Sequence, residues 1–286
     1  MKNTKKIKYI AIVIFCAILD FSLHGISSMI SPGSEIGNLS FIAKTIGAPG
    51  AAMVWVFIAF SSVAYVFYMY TDKIPGEKSA KGLRYGSAIG LLWLWGVVES
   101  SSLKGTPFIQ ETVMGLCDGA PVLLMGLLLG IFTTKSNPIE SKNKTFIRGN
   151  RFSPILIFTF VFLIGRYFLY FTKIIESGYE SRPYATFIWT LIMGALIGVI
   201  YILLGQTTKS SSALLSAIKF GVIIFGINWS VFLIFIPLIC EGTLVDIIIR
   251  CITDIPFVIL SYYLSESLAK VICNTKKLHY FEGRKK

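Results

Sequence analysis

The chain divides into eight runs of about 20 mainly apolar residues, at 9–30, 50–71, 85–103, 112–133, 153–174, 184–206, 215–238 and 247–268. A helix needs that length to cross a hydrocarbon core about 30 Å thick. Inside such a core each backbone N–H and C=O must be satisfied within the chain, which leaves helices and closed barrels as spanning structures. Barrel strands would alternate apolar and polar residues over about 10 positions, and these runs do not. The connecting stretches, such as 71–81 and 134–150, are rich in Gly, Pro, Ser and Lys and too short for a soluble domain. The expected fold is an all-α polytopic membrane protein with eight transmembrane helices.

Charge supports the same class. Only 15% of residues are charged and 54% are apolar, whereas soluble domains carry about 25% charged residues. Disorder needs low hydrophobicity together with high charge, so it too is excluded. The net charge of +12 comes from an uneven distribution of the 27 Lys and Arg. With alternate loops assigned to opposite sides, four of them (Lys44, Lys104, Lys173 and Arg182) fall on one side, Arg166 and Arg250 fall inside spans, and the rest lie on the other side. The positive-inside bias then puts both termini in the cytoplasm of a cell whose plasma membrane the chain spans. The basic excess is a topology signal. The tail, with Lys276, Lys277, Arg284, Lys285 and Lys286, is placed to touch anionic lipid. The expected partner is the bilayer and not nucleic acid. Lys2, Lys5, Lys6 and Lys8 before an apolar run resemble a signal peptide, but the run is long, contains Asp20 and His24, and lacks a clean small-residue cleavage site, so an uncleaved first span is expected.

Self-comparison suggests a duplication. At a shift near 135 residues, Arg84-Tyr85-Gly86 falls on Lys219-Phe220-Gly221, Trp55 falls near Trp189, and Asp118-Gly119-Ala120-Pro121 falls near Asp254-Ile255-Pro256. The first pair of spans needs a shift of about 146, which sets Asp20 on Arg166. Four spans per half is an even number, so the halves would be parallel repeats about a pseudo-twofold along the membrane normal, with a site between them. The expected layout is a first repeat at 1–134, a cytoplasmic linker at 135–152, a second repeat at 153–270 and a basic tail at 271–286.

Ionisable groups are expensive inside a bilayer and usually mark a site. Asp20, Glu99, Asp118, Arg166, Arg250 and Asp254 stand within the runs. At about 1.5 Å per residue, none of them falls in the inner half of its span. Asp20 and Arg166 are expected to meet in a salt bridge across the central interface. His24 shares a helical face with Asp20. Asp246, Arg250 and Asp254 form one charged stripe whose i, i+4 spacing favours intrahelical pairing, whereas Asp118 has no basic partner on its own helix. Pro121 and Pro256 follow the matched acids closely and free a backbone carbonyl in each span. Glu99, beside Ser100, Ser101 and Ser102, is read as an interfacial cap. Trp93, Trp95 and Trp229 are read as core, and the Gly86–Gly90 and Gly126–Gly130 spacings as close helix contacts.

No nucleotide, zinc-protease or nucleophile-elbow motif is present, and no cofactor is expected. The five Cys show no paired spacing. His279 lies in the tail, so no metal site is expected either. The leading functional expectation is a small secondary transporter whose outward polar cavity, lined by Asp20, His24, Asp118, Arg166, Arg250 and Asp254, takes a small polar or charged solute. A membrane-embedded enzyme acting on a lipid or lipid-linked substrate, which needs His24 and a carboxylate within hydrogen-bond reach, is the alternative. A non-catalytic partner or sensor subunit of another membrane protein, or self-association, is the third reading.

Overall fold

The computed structural model describes residues 2–30, 37–135 and 152–282. The linker expected at 135–152 lies outside these residues except for its two ends, as do the tail side chains beyond Val271. The apolar runs become helices, since no other local structure satisfies so long an apolar backbone on its own. In chain order these are α1 (Lys2–Ile30), α2 (Phe41–Ile46), α3 (Ala48–Tyr70), α4 (Lys78–Val97), α5 (Glu99–Leu103), α6 (Phe108–Thr133), α7 (Phe152–Phe171) and α8 (Pro183–Leu204). The seventh run is compound: α9 (Ala213–Lys219) continues into a π-helical stretch, Phe220–Ile227, then α10 (Asn228–Leu233) and α11 (Phe235–Ile239). The chain then enters α12 (Leu244–Glu282). Among the described residues, β pairing is confined to the single bridge Leu39–Cys240.

Six helical segments are long and apolar enough to cross a membrane: Lys5–Ser28, Ala48–Tyr70, Phe108–Thr133, Phe152–Phe171, Pro183–Thr208 and Ala213–Ile239. This is a helical membrane protein. The third and eighth expected spans form helices, α4 and α12, but are not among the six. α4 opens with Lys78, Lys81 and Arg84, and α12 carries Asp246, Arg250, Asp254 and Glu266. A helix enclosed by others does not need a lipid-compatible surface all round. α4 is such a helix, with Tyr85, Ala88, Ile89, Leu92 and Trp93 all buried.

Small residues decide how α4 sits. A Cβ at Gly82 would lie 2.3 Å from the Gly126 carbonyl oxygen, and one at Gly86 or Gly90 would lie 2.6 Å from the carbonyl of Leu123 or Gly119 on α6. The two backbones touch, and only glycine permits that approach. The remaining packing follows a regular pattern. α1 lies on α3 and α6, and α7 lies on α8 and α12. α4 joins α6 to α8, while the π stretch and α10 join α12 to α3. Two indole bonds tie these crossings. Trp55 Nε1 donates to the Val231 carbonyl at 2.7 Å, and Trp189 Nε1 donates to the Trp95 carbonyl at 2.9 Å. Trp93, expected as core, is fully buried against Trp55 and Phe232 at ring-centroid distances of 5.8 and 5.6 Å.

Candidate functional site

The six ionisable residues singled out in the sequence do not meet in one cavity. They form two groups, one on α1 and α6 and one on α7, α12 and α5.

The second group is a closed ionic lattice. Arg166 on α7 faces Asp254 on α12 through two parallel bonds, Nε to Oδ1 at 2.7 Å and Nη2 to Oδ2 at 2.6 Å. Both side chains are fully buried. Its third nitrogen, Nη1, donates to Glu99 Oε1 at 3.1 Å. Arg250 Nη1 donates to the same Glu99 oxygen at 2.7 Å, and its other nitrogens are taken by Asp246 and by the Glu176 carbonyl. Trp229 Nε1 adds a bond to Asp254 Oδ2 at 3.0 Å. The rings of Phe162 and Trp189 lie 5.3 Å from the Arg166 guanidinium, within cation–π range. Planar, bidentate geometry of this kind is the arrangement in which a buried arginine is best compensated.

Two expectations change here, and a third is extended. Arg166 does not pair with Asp20 across the interface, because Asp254 meets it on a directly packed helix. Glu99 is not an interfacial cap: the chain breaks between α4 and α5, and this aims its carboxylate between both arginines. Arg250 does pair within its own helix with Asp246, as the i, i+4 spacing suggested, but its strongest compensation comes from Glu99, 151 positions away. Position along a helix can be read from sequence. Rotation about the axis, which selects the neighbour, cannot.

The first group is smaller and is not balanced. Asp20 lies well inside the Lys5–Ser28 span, one helical turn before His24. Asp118 reaches toward both from α6. His24 Nε2 lies 2.8 Å from Asp118 Oδ1. One ligand-capable atom from each of Asp20, His24 and Asp118 lies within 4.8 Å of the others. The two acids are 2% and 4% exposed. Asp20 Oδ1 is buried with no hydrogen-bond partner, an uncommon state for a buried oxygen acceptor. Among the described residues, neither acid forms an ion pair with Lys or Arg. The first group thus holds two carboxyl groups and one imidazole, where the second sets two guanidinium groups among three acids. The His24 side chain, 29% exposed, is its opening to the surroundings. Pro121 sits one turn beyond Asp118 inside α6, which continues through it.

Two cavities lie elsewhere. One of about 450 Å³ is lined by Lys104, Tyr170, Lys173, Glu176, Tyr179 and neighbours. Its floor is Tyr170, which is buried and lies 3.3 Å from the Thr190 hydroxyl. The Glu176 carbonyl that lines it also takes a bond from Arg250. This cavity therefore ends above the ionic lattice. The other, about 410 Å³, opens among Lys5, Tyr9, Tyr68, Asp72, Thr133 and Lys135. Neither is lined by Asp20, His24, Asp118, Arg166, Arg250 or Asp254.

Sequence reading missed the His24–Asp118 contact, which spans 94 positions. It also missed the buried Glu266, which accepts from the Tyr201 hydroxyl at 3.1 Å. The signal for the first was present: setting Asp20 on Arg166 and Asp118 on Asp254 implies that if one pair touches within its half, so does the other. No family model, curated protein or solved structure matches the chain.

Proposed function

We propose that the protein is a small secondary transporter of the plasma membrane with eight spans in two parallel repeats and both termini in the cytoplasm. In this reading Asp20, His24 and Asp118 form the site that takes a cation, and the Arg166 lattice is the fixed counterpart of that site in the second half. The observation that carries it is the partnerless, buried Asp20 oxygen facing a second acid within a membrane-spanning helix pair. Two acids this close together at that depth are costly to keep ionised.

Several contacts favour the two-repeat layout. The bond from Trp55 to Val231 and the bond from Trp189 to Trp95 are mates, since donor and acceptor each shift by about 135 positions in opposite directions. The pairings of α1 with α3 and α6 recur as α7 with α8 and α12. α4 and α12 then complete the two sets of four spans, their charges turned inward. On the positive-inside assignment the 450 Å³ cavity over Tyr170 is the outer vestibule.

The lipid-enzyme reading draws on the same His24–Asp118 contact, but the nearby hydroxyl does not face the imidazole. Ser27, near His24 on α1, directs its hydroxyl to Met114 Sδ at 3.3 Å. Transport needs only that the acids bind and release charge.

Flux measurements test the reading. Proteoliposomes carrying the protein and an internal pH-sensitive dye should show cation-driven proton movement or cation uptake. Asp20→Asn and Asp118→Asn should lower that flux at least tenfold while the protein stays monodisperse. Equal flux in both variants and in the unaltered protein, or no flux of any cation tested, would contradict the reading.

A further inference from the structure

The reading above does not say which cation the first-half site takes. We propose that Asp20, His24 and Asp118 bind a divalent transition-metal cation of the Zn2+ type; this rests on the reading that the site is open to a cation.

Four observations lead there. The first is the donor set. One imidazole nitrogen and two carboxylate oxygens suit borderline divalent ions such as Zn2+, whereas Mg2+ and Ca2+ favour all-oxygen sites. Three protein ligands with a fourth place left open is the arrangement of zinc sites that exchange a ligand. The second is geometry. Bonds of about 2.0–2.1 Å to a tetrahedral ion set neighbouring ligand atoms a little over 3 Å apart. The His24–Asp118 separation of 2.8 Å and the 4.8 Å limit on the whole set bracket that value, so small side-chain rotations complete the site. The third is the free Asp20 oxygen, nine-tenths or more buried and already beside the other two donors.

The fourth is charge. In the second group a single guanidinium matches Asp254, and Glu99 is shared between two arginines. In the first half an acid stands where the aligned position holds Arg166, so two carboxyl groups face each other and, among the described residues, no arginine or lysine is paired to either. With both acids ionised, one monovalent ion would leave half of their charge uncompensated in a low-dielectric setting, where it is most expensive. A divalent ion cancels both and leaves the imidazole neutral, the form in which it ligates metals. The His24 ring is the partly exposed member of the set.

The test uses the full chain, purified in detergent, stripped with a chelator and titrated with Zn2+ by calorimetry and with Co2+ by optical absorption. We expect one Zn2+ per chain, a tetrahedral Co2+ spectrum, and at least tenfold weaker Zn2+ binding in Asp20→Asn and His24→Gln. His279→Gln, in the tail, should bind as the unaltered protein does. Because the first two variants alter a buried site, His24→Cys is the companion: it keeps a ligand of softer type and should shift preference toward Cd2+. Absence of saturable Zn2+ binding would overturn the proposal. So would binding unchanged in His24→Gln, binding lost in His279→Gln, or a monodisperse His24→Cys that takes neither metal. Proton-coupled flux persisting without Zn2+ binding would overturn this inference alone. Stoichiometric Zn2+ binding without flux would keep the site and remove the transporter.

Discussion

Arg166→Ala should largely abolish recovery of folded protein. The substitution strands Asp254, which has no exposed surface, and removes one of the two cations on Glu99. Breaking a buried pair from one side costs about 3–5 kcal/mol, because the remaining charge stays desolvated and unmatched. That is a large share of the total stability of a typical domain, about 5–15 kcal/mol. The double variant Arg166→Met with Asp254→Asn should recover most of the loss. It replaces the pair with a neutral couple of similar volume, which is often neutral or stabilising. An amide oxygen at 254 can still accept the Trp229 indole N–H, and Arg250 still covers Glu99. Size-exclusion profiles after stepwise heating compare the variants directly. An Arg166→Ala protein as heat-resistant as the parent would mean that water reaches the lattice, and would return Arg166 to the group of solute-facing residues.

The opposite sign is expected in the other half. Asp20→Arg should raise the melting temperature, measured in chelator, and should eliminate flux and Zn2+ binding. The replacement puts a guanidinium beside Asp118, as Arg166 stands beside Asp254. It also removes the unpartnered Asp20 oxygen, a burden of about 1–3 kcal/mol for a buried acceptor. A stabilising change that destroys activity is characteristic of a functional site held in an unfavourable arrangement. If Asp20→Arg instead unfolds the protein, and Asp20→Asn also lowers its stability, then the acid pair is satisfied by something within the bundle and is structural.

These contrasting outcomes show how much could be read before any coordinates. The helical membrane class follows from run length alone, and the buried charges were identifiable one by one because charge in an apolar run is conspicuous. α4 and α12 are harder to place, since Lys78, Lys81 and Arg84 in one, and Asp246, Arg250 and Asp254 in the other, dilute the apolar signal that defines a span. Partner choice was the part least visible. Asp20 and Arg166 carry opposite charges at similar depth, and that complementarity suggested a bridge. The fold instead packs α1 on α6 and α7 on α12, so each residue meets an acid from the last helix of its own half. The π-helical stretch Phe220–Ile227 is similarly hidden. It has no composition of its own, yet it sets the rotation that carries Asn228 and Trp229, the latter bonded to Asp254. Helix rotation and helix neighbours are collective properties of packing, and a single apolar sequence constrains them weakly.

On the proposed reading, the first half holds an open cation site and the second half holds the same place filled by arginine. Anomalous scattering from crystals grown with Zn2+ tests it most directly. One strong peak is expected, bounded by Asp20, His24 and Asp118, with none beside Arg166 and Asp254. Crystals with no peak among those three residues, or with zinc seated at Glu99 or Asp246 instead, would contradict it.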